Sequence, residues 1–570
     1  MPHRILPVLP LALGLVLGLV LGAPAAAQDT GPGLAGPYLA ARTAVMDGNH
    51  RAAAMHFETA LAADPGNPML IGNAIFANAA LGQWARAAEI ADMMPEGAEG
   101  QELVNLVRMV RGLAAGDLIG ARAAIEAGEG AGPFIDALAM GWIHLGEGDM
   151  RRATAAFEAV AADGALADIA YTHLALARAA VGDFEGADQI LSGAAFGPLG
   201  ASERTVRAHA EILEQLDRRA DALQLLDFFT ASVPDPGVLA LQAEIAARDK
   251  APPYGFITTA EQGLAEVFYT IARALRGEGG STTLPLLYAR AANGIDPTHS
   301  EALLLTGQLL MEAEQFALAA DAFAEVPPGD AQFVAAQMGR ADAYLAETRD
   351  AEAIATLSAL AEAHGDLATV QAALGDALRR TGQCAPAIEA YTAALNSVDI
   401  TQARNWFLYF ARGICHGQLD DAIASEADFR QALLLNPDQP QVLNNLGYSL
   451  VEQRRNLDEA LAMIERAVEL RPDSGYIVDS LGWVFYRLGR FEEAVVPMER
   501  AIELLPNDPI INDHLGDVYW MVGRQREARF QWERALSFDP EEEDAARIRR
   551  KLSVGLDRVL EEEGGVGETQ

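Results

Sequence analysis

From about residue 35 onward, apolar side chains return every three or four positions, the period of a helix with one buried stripe. No stretch of any length alternates apolar and polar residues as a half-buried strand would. Over this helical period runs a slower one. Leu481-Gly482 returns 34 residues later as Leu515-Gly516, Ala494 as Ala528, Ala501 as Ala535 and Pro506 as Pro540. One step earlier stand Leu446-Gly447, Ala460, Ala467 and Pro472, with one extra residue between Gly447 and Gly482. Gly413, Ala432 and Pro437, then Gly375, Ala387, Tyr391 and Ala394, hold the same places further upstream. Such a unit predicts two antiparallel helices. Glycine at position eight lets the first helix lie close to the second, alanines at positions twenty and twenty-seven do the same from the other side, and proline at position thirty-two ends the second helix.

The pattern resembles the tetratricopeptide repeat. Upstream units are more worn: Phe57, Ala60 and Pro65; Gly82 and Ala87; Gly141, Ala153 and Phe157; Gly182 and Ala187; Gly307, Ala319 and Phe323. The resemblance implies an all-α tetratricopeptide solenoid, a right-handed superhelix of roughly thirteen helix-turn-helix units between about residues 35 and 542, possessing a concave face that binds other proteins. The expected division is a degenerate N-terminal segment over 35–250, a middle segment over 251–366, a well-formed C-terminal segment over 367–542, a capping helix over 543–560 and a disordered acidic tail over 561–570. Lys250-Ala251-Pro252-Pro253-Tyr254-Gly255 interrupts helix, because tandem prolines remove donors and crowd the preceding turn. It reads either as a junction between two superhelical segments or as a long inter-repeat loop, and Gly277 to Thr283 is a second loose stretch. In the capping helix, Glu541, Glu542, Glu543 and Asp544 sit at the positive N-terminal end. Ile548, Leu552 and Leu556 share one face, and Arg547, Arg549, Arg550 and Lys551 are expected on a solvated one.

Ahead of the repeats, Arg4, the apolar run Leu11 to Leu21 and the small residues Ala25-Ala26-Ala27 have the order of a secretory signal peptide over 1–27, cleaved after Ala27, with 28–34 as linker. That predicts a periplasmic mature chain with no transmembrane segment. A net charge of −38 and a pI near 4.5 disfavour nucleic acid and anionic membrane surfaces as partners. Arginine carries almost all the positive charge, since the lysines are Lys250 and Lys551 alone.

Motifs that carry chemistry are missing. There is no His-Glu-x-x-His, no phosphate-binding loop and no Cys-x-x-Cys. Gly128-Glu129-Gly130-Ala131-Gly132 lies between helices and reads as a turn. His416 and His514 fall inside first helices of their units, in packing or polar-face positions. The repeats leave no room for a catalytic domain, so the expectation is a non-enzymatic protein with no cofactor and no metal. Cys384, at position seventeen of its unit, and Cys415, at position ten of the next, are predicted neighbours. They are either a disulfide, suited to an oxidising compartment, or two buried thiols.

In solenoids of this kind, positions two, five, nine and twelve of the first helix line the groove, and four, seven, eight and eleven pack the core. The core set then includes Leu443, Leu446, Gly447, Leu450, Leu481, Gly482, Phe485, Leu515, Gly516 and Tyr519. The groove set is Asn444, Tyr448, Tyr476, Asp479, Trp483, Tyr486, Asp513, Asp517 and Trp520, aromatic anchors beside acceptors for a peptide segment or folded protein. The other reading is that neighbouring helices or the cap cover these aromatics. Asp479, Asp513 and Asp517 stand where a carboxylate clamp needs basic and Asn residues, which argues against an acidic C-terminal tail as ligand.

Leu443-Asn444-Asn445-Leu446-Gly447-Tyr448-Ser449, Gly475 to Trp483, Ile511 to Trp520 and Glu527 to Trp532 resemble segments of long bacterial periplasmic tetratricopeptide-repeat proteins of the cell-envelope-integrity type. The likeness covers about residues 400 to 553. It implies a scaffold or adaptor that supports the envelope. A cofactor for secretion or assembly of polysaccharide or outer-membrane proteins is the alternative.

Overall fold

The computed structural model describes residues 34–232, 236–277 and 281–563. The expected signal peptide, nearly all of the linker and the tail beyond residue 563 lie outside them. Among the described residues the chain forms 31 α-helices and one 3₁₀ turn, with no strand. It divides into two compact units, Met1–Thr356 and Leu357–Gln570, the division falling inside the helix Asp350–Ala363. None of the described helices is long and apolar enough to cross a membrane.

Hairpins in both units close on one recurrent contact. A Cβ on Gly141 would lie 2.4 Å from the Phe157 ring, on Gly307 2.3 Å from Phe323, on Gly375 2.7 Å from Tyr391, and on Gly516 2.4 Å from Trp532. The glycine of the first helix is thus a socket for the large side chain sixteen residues on. Ala153, Ala319, Ala387, Ala494 and Ala528 beside it are fully buried. Helix starts are fixed locally: Asn49, Asp117, Asp149 and Asp183 each accept a backbone N–H from the first turn.

In the first unit, helix pairs follow one another from Ala35–Met46 with His50–Ala63 to Glu203–Gln215 with Arg219–Ser232. The Pro-Pro loop then lies pinned on this array. Gln215 donates to the Pro252 carbonyl at 2.8 Å, and the Tyr254 ring meets Phe184 edge-on at 5.7 Å. The boundary expected near residue 250 therefore falls within the first unit. The loop feeds a hairpin, Ala260–Gly277 and Thr283–Ile295, which turns back across the first helices of earlier repeats: Pro68–Ala80, Gln101–Ala114, Pro133–Gly146 and Ala167–Ala180. It is buried over most of its length, from Leu264, Ala265, Val267 and Phe268 to Leu286, Leu287, Tyr288 and Ala291, with the charged Glu266 and Arg290 buried among them. Two tryptophans hold it. Trp142 packs onto Gly263, where a Cβ would come within 2.1 Å, and Trp84 packs onto Gly294 while donating to the Arg290 carbonyl at 3.1 Å. Arg290 in turn donates to the Ala80 carbonyl at 3.1 Å.

In the second unit, hairpins run in order from Ala368–Arg380 with Cys384–Asn396 to Pro509–Met521 with Gln525–Ser537. The expected single capping helix is two, Glu542–Val554 and Leu556–Glu562, because Gly555 sits at φ +88° and turns the chain.

Gly516→Ala sets two effects against each other. Alanine gains about 1 kcal/mol of helix propensity. The new methyl overlaps the Trp532 indole and forces a repacking that costs about 1–3 kcal/mol, with a further ~1.5 kcal/mol or more where the indole's bond to Asp517 is lost. A net loss is expected, read as a lower urea midpoint, and a smaller loss for Gly482→Ala, whose obstacle is the flexible Met498 side chain.

Candidate functional site

The groove positions of the second unit divide into a filled end and an open row. At the filled end, the helix Glu542–Val554 lowers Lys551 between two carboxylates of the last repeat. Its ammonium donates to both oxygens of Asp513, at 2.8 and 2.7 Å, and of Asp517, at 2.7 and 2.8 Å. The lysine is fully buried. Arg547 adds its guanidinium 3.6 Å from Asp517, and Trp532 donates its indole N–H to the same carboxylate at 2.9 Å. Burial pushes the Asp513 carboxyl above its ordinary value, with Lys551 pulling it back and Asp517 adding to the rise. Next door, Trp520 donates to Asp557 at 3.0 Å, with Gly555 beneath its ring and Trp532 5.4 Å away.

One repeat upstream the same kind of filling continues. Trp483 is buried, stacked on Tyr486 at 4.7 Å and on His514 at 4.0 Å, and donates to Glu452 at 2.8 Å. His514 bonds through Nδ1 to the buried Asp479 at 3.0 Å. Burial alone would lower this ring, but Asp479, backed by Asp513 and Asp517, more than offsets that and raises its pKa.

The expectation of an open aromatic–acidic groove is thus corrected at Asp479, Trp483, Tyr486, Asp513, Asp517 and Trp520. Their partners are side chains of this same chain. Trp483 and Tyr486 are more buried than Leu481 and Phe485, which were expected in the core. The expectation of a solvated Lys551 is corrected for the same reason: two aspartates one helical turn apart offer the ammonium four oxygens.

The open row lies at position two of three first helices, with the exposed Gln441 at the same position between Phe407 and Tyr476. Phe407 is 41% exposed, Tyr476 61% and Ile510 50%. Large apolar groups returning to solvent at one repeat position form a surface stripe. Beside it, Asn444 and Tyr448 are half-buried, and the Asn444 Oδ1 accepts no hydrogen bond. Phe407 and Ile510 are absent from the sequence-predicted set. The signal that finds them is position two counted back from Gly413 and Gly516.

Cys384 and Cys415 are both buried as thiols, their sulfurs 2.7 Å apart, and Cys384 also meets Gln418 Oε1 at 2.9 Å. Burial pushes the Cys415 thiol up to about 12, with Cys384 adding to the rise.

Sequence profiles described as tetratricopeptide repeat match residues 44–108, 415–475 and 445–509. The chain carries tetratricopeptide repeats. Domains of this kind bind proteins and peptides and are typically non-enzymatic. A TPR repeat-containing protein of Pseudomonas aeruginosa is 31% identical to this tetratricopeptide chain over 186 residues, which are 32% of this chain and 30% of that one. The match thus spans less than a third of that relative's length. The APC/C hetero-tetramer Cut9–Hcn1 superposes with 16% identity and a TM-score of 0.38 over 91% of this chain and 96% of the other. YrrB, described as a TPR protein with an unusual peptide-binding site, superposes with 19% identity and a TM-score of 0.28 over 34% of this chain and 97% of that one.

Two outcomes follow from this geometry. Because the folded pKa of His514 is raised, its ion pair with Asp479 contributes fully below about pH 6.5, the ordinary value, and is lost as pH rises through the raised one. The stability gap between wild type and Asp479→Asn, from urea melts, is therefore expected to be larger at pH 5.5 than at pH 8.5. Refolding from urea in a glutathione redox buffer is expected to close a Cys384–Cys415 disulfide with helical circular dichroism unchanged, and to raise the unfolding midpoint. Closing a loop of this length contributes roughly 3–4 kcal/mol.

Proposed function

We propose that this chain is a non-enzymatic scaffold that holds an extended segment of another protein along the stripe Phe407, Tyr476 and Ile510. The exposure of large apolar side chains at one repeat position is the observation that carries this reading. The half-buried Tyr448 supplies a polar contact beside the stripe. The acidic surface favours a basic or neutral partner.

The scaffold acts in the periplasm, where the signal-peptide pattern over 1–27 would send it, and supports cell-envelope integrity, as the resemblance of residues 400 to 553 implies. Photocrosslinking in cells tests the surface. A photoreactive residue at Tyr476 or Ile510 is expected to capture a discrete partner, while one at the sealed Trp483 captures none. Uniform labelling at all three, or none at the stripe, would sink the assignment. Deletion is expected to sensitise cells to detergents and cell-wall antibiotics. Loss of a single exported product with normal sensitivity would instead favour a secretion or assembly cofactor.

A further inference from the structure

In the first unit, a cavity of about 280 Å³ opens between the helix Ala167–Ala180, the start of Glu203–Gln215, Phe256 of the Pro-Pro loop and the helix Ala260–Gly277. Its size is just under that of ligand sites, about 300–1,000 Å³. Ile169, Leu176, Phe256 and Ala274 supply apolar wall. What distinguishes it is the state of its polar groups.

Most of them are spent. Arg204 is clamped by Glu266 and Glu301, each at 2.6 Å, and Glu266 also accepts from His299 Nε2 at 3.2 Å. Asp168 accepts the Gly200 N–H at 3.2 Å, and the Thr172 hydroxyl donates to the Asp168 carbonyl at 2.7 Å. Thr205 and Ser202 close a reciprocal cap. Asp168 uses only its Oδ2, and three other groups on the wall hold unused donors. His173, 1% exposed, accepts the Trp142 indole N–H on Nδ1 at 3.1 Å, which fixes the tautomer with hydrogen on Nε2. That Nε2–H, on the edge of the ring away from Trp142, is buried without a partner. Burial lowers the ring's pKa to about 4, so it stays a neutral donor near neutral pH. Thr270 makes no hydrogen bond and Arg273 no ion pair among the described residues, Arg273 lying only over the Tyr269 ring at 5.8 Å.

We propose that this cavity is a binding site for a small monocarboxylic acid with an apolar body. One carboxylate oxygen accepts from His173 Nε2–H, the charge faces Arg273 with Thr270 beside it, and the body lies against Ile169, Leu176 and Phe256. An acceptor at His173 Nε2–H would satisfy the one fully buried donor of the wall, since such a donor left unpaired is costly, and the exposed Arg273 adds positive charge beside it. Nothing in this site involves the stripe on the second unit.

Trp142, bonded to His173, is a built-in reporter. In full-length protein labelled with 5-fluorotryptophan, its ¹⁹F resonance is assigned by its disappearance in Trp142→Phe. Titration with 3-phenylpropionate is expected to shift that resonance saturably, and 3-phenylpropionamide, which has the same body without the charge, to bind about tenfold more weakly, the worth of one charge-assisted contact. Arg273→Ala, at an exposed side chain, is expected to weaken the acid by about tenfold with the melting temperature unchanged. His173→Phe is expected to abolish the shift. Absence of a saturable shift up to about 10 mM, where free energies of binding fall below about 3 kcal/mol, would overturn the site. So would equal affinity for acid and amide, or indifference to Arg273→Ala, which stays informative even where His173→Phe fails to fold.

Discussion

The most regular hairpins of this chain depend on one contact, a backbone glycine pressed against a bulky side chain sixteen residues further on. Gly141 with Phe157, Gly307 with Phe323 and Gly516 with Trp532 bring the two helices of a hairpin closer than any side chain at the glycine would allow. The buried alanines then complete a surface flat enough for the next hairpin. Stacking follows, because a lone hairpin leaves an apolar face that only a neighbour can cover.

That regularity made the fold legible. Glycine, alanine and proline at fixed offsets announced the helical hairpins, and the structure has them where the offsets put them. The contents of the groove faces were less legible. Position five, nine or twelve says which way a side chain points, not what it meets. Asp513 and Asp517 read as an open acidic pair because their partner lies 34 to 38 residues downstream in a segment outside the repeat register. The clue was compositional: Lys551 is one of two lysines in an arginine-rich chain. A four-oxygen nest suits a compact ammonium better than a planar guanidinium.

The hairpin Ala260–Gly277 and Thr283–Ile295 escaped for a different reason. Its apolar spacing looks like that of any repeat helix, and only its roundness of burial sets it apart. Gly263 and Gly294 are sockets too, but for tryptophans on distant repeats and not for a side chain of the same unit. The site at His173 arises from this placement, since the returning helix walls off a small volume that His173 lines. No local pattern contains that information. The residues belong to three separate helices and a loop.

The bond from Trp84 to Arg290 joins positions 206 residues apart. A solenoid built only from neighbour contacts folds as its units leave the ribosome and tolerates excision of one of them. This first unit has given up that freedom. Its early repeats present a bare apolar flank until residue 295 has been synthesised, so they need either shelter or speed during translation. In evolutionary terms, losing or duplicating the repeat between Trp84 and Trp142 would break the spacing that both sockets share. The repeat number there is therefore frozen by a contact that belongs to no repeat.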